Sequence, residues 1–167
     1  KMTLLILGLA LFIGIHLVPM FPVLRQVSVK LLGIYPHKAL FAILSIIAIV
    51  LIVKGWRVAP LEPIYLPAIG LRHAAMLLIL VGFILFAASH AKTNIKRWVR
   101  HPMLSGVLLW AIAHLLANGE QRAVVMFSAF AIWALVTIFL SNRRDGAWIK
   151  PEPVSITKDL ITVVISV

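Results

Sequence analysis

The chain contains no cysteine. Disulfides, iron–sulfur clusters and thiolate metal sites are excluded on that ground alone. Acid is almost as scarce: five Asp and Glu stand against sixteen Lys and Arg. None of the five lies inside an apolar run, so carboxylate-driven proton pumping within a membrane lacks its groups. The chain also has no His-Glu-x-x-His and no glycine-rich phosphate loop, which removes metalloprotease and nucleotide-hydrolase readings.

What the chain does have is apolar length. It is 62% hydrophobic with a mean hydropathy of +1.07, where soluble domains run nearer half. Five runs stand out, at about 3–21, 38–57, 68–89, 103–118 and 122–141. A helix crosses the hydrocarbon core with roughly 20 mostly apolar residues. The sequence therefore predicts an all-α fold, a polytopic transmembrane helix bundle of about five spanning helices plus a short C-terminal tail segment. The fourth run is short, entered through His101-Pro102 and left at Asn118-Gly119, which is good helix punctuation. The first is too long for a signal-peptide core and has no small-residue cleavage site, so it reads as a retained helix. The run from Leu160 to Ile165 is too short to span. It is expected at the interface, or as the start of a truncated sixth helix.

The formal net charge is +11. The basic residues sit between the apolar runs and form no basic-aromatic platform. They point to a lipid bilayer with anionic headgroups on the cytoplasmic face, and not to nucleic acid. The stretches 22–38, 90–101 and 142–158 carry eleven Lys and Arg, while the N-terminus, 54–72 and 119–122 carry five. The positive-inside rule then predicts an outside N-terminus and a cytoplasmic tail.

Six histidines remain. Ionisable residues inside a membrane are expensive and usually functional, and neutral imidazole is a common metal and haem ligand. His16 lies about two-thirds of the way across the first run, and His114 near the outer end of the fourth. Each reads equally well as a histidine bonded to a neighbouring helix or as a ligand. His101, beside Arg100 and Pro102, reads as a boundary residue in contact with headgroups or water. His37, His73 and His90 read as interfacial.

Helical geometry narrows the choice. On one continuous helix His101 and His114 point roughly 140° apart and stand about 20 Å apart, so they do not share one metal. His16 and His114 come from oppositely directed runs, at depths of about 20 Å and about 12 Å from the outer surface. Ligands to opposite faces of one haem tolerate that offset. His73, about 7 Å deep, is the alternative partner for His114. Met103, Val107, Trp110 and His114 share one helix face by their spacing. That stripe either lines a flat apolar cofactor or is ordinary helix packing.

The stretch from Arg97-Trp98-Val99-Arg100-His101-Pro102-Met103-Leu104-Ser105-Gly106 to Trp110-Ala111-Ile112-Ala113-His114-Leu115-Leu116-Ala117-Asn118-Gly119 closely resembles the NnrU family. Leu4 to His16, Leu51-Ile52-Val53 with Gly55, Ala59-Pro60 and Leu71-Arg72-His73 support the likeness, which covers roughly residues 2 to 144. Lys54, where an aromatic or apolar residue is more usual, and the tail after Arg144 depart from the pattern.

The resemblance implies an inner-membrane protein linked to bacterial denitrification and nitric-oxide metabolism. The related 15-cis-zeta-carotene isomerase binds haem b through two histidines, whose positions match His16 and His114. His101 matches a further histidine of that pattern. On this likeness His16 and His114 are the expected metal ligands, and Trp110, His101 and Arg100 the further cofactor-binding residues. Any activity would be of haem-dependent redox or isomerase type. The expected division is a transmembrane domain over 1–144 and a cytoplasmic or interfacial tail over 145–167.

Two alternatives stay open. One is a non-enzymatic accessory protein for expression or assembly of nitrogen-oxide reductases, acting through a membrane protein partner or a homo-oligomer. The other rests on Arg100-His101-Pro102-x-x-x-Gly106, which is similar to the RHPxYxG motif of S-adenosylmethionine-dependent integral-membrane methyltransferases, with Leu104 in place of the tyrosine.

Overall fold

The computed structural model describes residues 2–166. Helix accounts for all the regular structure among them, and the chain divides into two compact units, 1–62 and 63–167.

The first unit holds α1 (Thr3–Leu17), α2 (Pro22–Leu32) and α3 (Ile34–Val58). A single 3₁₀ turn, Val18–Met20, ends α1 where Pro19 removes a backbone donor. Pro22 then opens α2, and Gly33, at φ +85°, separates α2 from α3 in a conformation that favours glycine. α1 and α3 run antiparallel: Leu5 lies against Gly55, and Gly8 against Ala48 and Ile52. The approach is close enough that a Cβ on Gly8 would sit 2.7 Å from the Ile52 backbone nitrogen. Helices in lipid gain nothing from burying apolar surface against each other, so small residues that let backbones touch hold such pairs together.

The second unit holds α4 (Leu71–His90), α5 (Pro102–Ala117), α6 (Gln121–Asp145) and α7 (Ile156–Val164). α5 packs against α4 on one side and α6 on the other. Its contact with α4 repeats the small-residue device. Gly82 and Gly106 face each other, and a Cβ on Gly106 would lie 2.7 Å from the Gly82 carbonyl oxygen. The segment before α4 is tied to the α5–α6 turn. The Ile64 N–H donates to the Gly119 carbonyl at 2.7 Å, and the Tyr65 hydroxyl donates to the carbonyls of Leu115 and Asn118. Those carbonyls have no partner further along their own helix, and Tyr65 satisfies them.

Among the described residues four helical stretches are long and apolar enough to cross a membrane: Thr3–Met20, Ile34–Val58, Leu71–His90 and Gln121–Asp145. The fourth apolar run forms α5, a shorter apolar helix of 16 residues. Residues 22–32, expected between two spans, form the helix α2. The tail run forms α7, which packs on α4 and on the 3₁₀ turn Asn94–Arg97. Its anchor is polar. Asp159 accepts from the Thr93 hydroxyl, the Asn94 backbone N–H and the Asn94 side-chain amide, while Asn94 also exchanges hydrogen bonds with the backbone of Val154.

Candidate functional site

His16 lies in the first unit, near the end of α1. Its Nδ1–H donates to the Phe12 carbonyl at 2.7 Å, which puts the imidazole lone pair on Nε2. The ring stacks on Phe12 with centroids 3.9 Å apart and tilts against Phe41 of α3 at 5.1 Å. This is how a protein fixes a ligating histidine: the far nitrogen is bound to a carbonyl, and the near one keeps its lone pair.

His114 lies in the second unit, on α5. It stacks flat on Phe127 of α6, with centroids 4.3 Å apart and planes within 6°, and meets Trp110 edge-on at 5.1 Å. Trp110 in turn touches Phe127 and Phe130, and Phe130 touches Trp133. The i, i+4 spacing of Trp110 and His114 thus brings them to one aromatic wall between α5 and α6. The Asn118 amide donates to the His114 carbonyl at 3.0 Å and lies 3.4 Å from Nδ1. With Nδ1 accepting, the neutral ring carries its proton on Nε2.

Arg100 and His101 stand at the opposite end of α5. The His101 Nε2–H donates to the Asn142 side-chain oxygen at 2.9 Å, tying the start of α5 to the end of α6. Both residues line a cavity of about 550 Å³ closed on one side by Ala147, Trp148, Ile149 and Pro151 of the tail. Neither residue reaches the aromatic wall, three turns further along α5.

The other three histidines sit at helix ends. His37 donates to Ser28 at 3.1 Å, His90 lies 2.8 Å from the Ser89 hydroxyl, and His73 is exposed in the first turn of α4. Among the described residues no group of three or more His, Asp or Glu side chains could hold a metal ion. A haem held by two histidines would need no such group.

The two histidines differ in readiness for that role. His16 already donates from Nδ1 to a carbonyl, as a ligating histidine does. His114 fits once its proton moves to Nδ1 and the Asn118 amide turns its oxygen to receive it. Asn118 therefore belongs with the candidate residues, as do Phe12 and Phe127. The i−4 and i+4 positions of Phe12 and Asn118 were the available signals. Phe127, on another helix, left none.

The chain matches the family described as NnrU protein over residues 4–167, a range that takes in the tail. No curated protein and no solved structure matches it.

Proposed function

The chain belongs to the NnrU family, and on that premise we propose a bacterial inner-membrane protein of denitrification and nitric-oxide metabolism that binds b-type haem, which His16 and His114 would hold. The observation that supports this is the 2.7 Å bond from His16 Nδ1 to the Phe12 carbonyl, which would make Nε2 the ligating atom. Bound haem would supply redox or ligand chemistry. The chain's own part would be to hold each imidazole in the right tautomer among apolar rings of its own unit, Phe12 and Phe41 at His16 and Trp110 and Phe127 at His114. The concentration of Lys and Arg beside Trp98 and in the tail supports a cytoplasmic location for that end and a periplasmic N-terminus.

The test is a reduced-minus-oxidised spectrum of the purified protein supplied with haem. A Soret band that weakens in both His16→Ala and His114→Ala is expected. Its absence, or its persistence unchanged in both variants, sinks the reading.

One observation favours a second reading, a non-enzymatic accessory protein for nitrogen-oxide reductase expression or assembly. His114 packs flat on Phe127 with its Nδ1 facing Asn118, as a purely structural histidine would. Rescue of a deletion strain by the double His→Ala variant would support it, and failure of that rescue would count against it.

A further inference from the structure

The cavity at the Arg100 end of α5 is chemically two-faced. Lys96 and Arg100 give it cationic walls; Met103, Leu104 and Trp148 give it apolar ones. Lys96 and Arg100 are each half-buried, and neither forms an ion pair among the described residues. Two cations drawn partly out of water beside a cavity, with no hydrogen-bonded ion pair of their own, are set to gain from an anionic ligand. One carboxylate, Asp145, also lines the cavity. Its hydrogen bonds come from Arg144, whose Nε and a terminal guanidinium nitrogen donate to it at 2.7 and 3.1 Å, while Arg100 acts on it only through space, so Lys96, Arg100 and Arg144 outnumber this single carboxylate. His101 donates to Asn142, so it contributes a fixed wall and no anion.

The apolar walls decide what kind of anion fits. A free inorganic ion would have no use for Met103, Leu104 and Trp148. The cavity also sits where apolar helices end and basic loops begin, and Trp98 beside it is 82% exposed. An exposed tryptophan among Lys and Arg at the end of apolar helices is an interfacial anchor.

We propose that this cavity binds the phosphate headgroup of a membrane amphiphile, with Lys96 and Arg100 on the phosphate and Met103, Leu104 and Trp148 along the start of its chain. The site lies wholly in the second unit and does not depend on haem. The tail segment Ala147–Pro151 forms one wall, so the docking of α7 completes the site.

The test is equilibrium binding of labelled dioctanoyl phosphatidic acid to the full chain in neutral detergent. Dioctanoylglycerol, inorganic phosphate and S-adenosylmethionine are the competitors. Phosphatidic acid should bind at least about tenfold tighter than the diacylglycerol, the weight of one charge-assisted hydrogen bond. Lys96→Gln with Arg100→Gln should remove that preference. Arg143→Gln with Lys158→Gln, which removes the same charge from the same end but outside the cavity lining, should leave it intact. Met103→Trp, which narrows the cavity and keeps both cations, should weaken the lipid and serves where the charge variants fail to fold.

Four results would each overturn the proposal. Equal binding of the diacylglycerol removes the phosphate from recognition. Equal loss in both charge variants reduces the effect to general surface potential. Displacement by inorganic phosphate as effective as by the lipid makes this a free-phosphate site. Arg100-dependent displacement by S-adenosylmethionine reassigns the cavity to a methyl donor.

Discussion

Asp159 accepts from both the backbone N–H and the side-chain amide of Asn94, at 2.7 Å each, across 65 residues of chain. Thr93, 4% exposed, adds its hydroxyl. These bonds hold the carboxyl below the ordinary carboxylate range, the Thr93 hydroxyl contributing most and the Asn94 amide next. A depressed folded pKa gives stability that is complete above the unfolded value, about 3.9, and is lost as pH falls through the folded one. Tail docking should therefore hold at neutral pH and fail only in strong acid. Asp159→Asn should loosen it at neutral pH. Amide exchange of residues 147–164 reports both, and unchanged protection in Asp159→Asn would contradict this account.

The helix contact in the first unit predicts opposite results at two glycines of α1 and α3. A Cβ on Gly55 would overlap the Leu5 backbone, while one on Gly14 meets nothing within 4 Å. Gly55→Ala should destabilise by about 1–3 kcal/mol, the usual cost of overpacking. Gly14→Ala should be neutral or mildly stabilising, since it only restricts the unfolded chain. Thermal unfolding in detergent, run side by side, separates the two.

Tyr65 predicts a third outcome. Its hydroxyl donates to two carbonyls at the end of α5. Tyr65→Phe should cost about 0.5–1.5 kcal/mol, the usual net weight of a hydrogen bond. Exchange at residues 114–121 should rise more than in α4. A uniform rise across the second unit would point instead to a general packing defect.

The histidine tautomers can be read without any cofactor. Nitrogen-15 spectra of the purified chain should show Nδ1–H for His16 and Nε2–H for His114. Asn118→Asp supplies an acceptor in place of the amide donor and should move the His114 proton to Nδ1. The same variant should strengthen haem binding if His114 is a ligand, because a carboxylate partner makes the ring more basic. An unshifted His114 proton in Asn118→Asp would show that Asn118 does not govern the ring.

Much of the architecture is legible in run length alone, because a bilayer asks for long apolar helices. α1, α4 and α6 appear close to where the apolar runs suggest. α2 does not, because Arg25, Gln26 and Lys30 break its apolar positions, and a search for unbroken runs passes over it. Pro22 at its start and Gly33 at its end were the remaining marks of a helix. Within the candidate site, the shared face of Trp110 and His114 follows from helical spacing. The apposition of Asn94 and Asp159, and of Trp148 with Arg100, depends on how the tail folds back. No local pattern in the chain carries that information.

The hydroxyl of Tyr65 has a consequence for the bilayer itself. At 16 residues, α5 is about 24 Å long, less than a hydrocarbon core of about 30 Å. A helix that stops short normally needs water at its open end. Here a phenol from the loop before α4 supplies one of those hydrogen-bond donors, so this end of α5 asks less of water. A helix too short for the hydrocarbon core thus meets the headgroup region with part of its hydrogen bonding supplied by the protein itself.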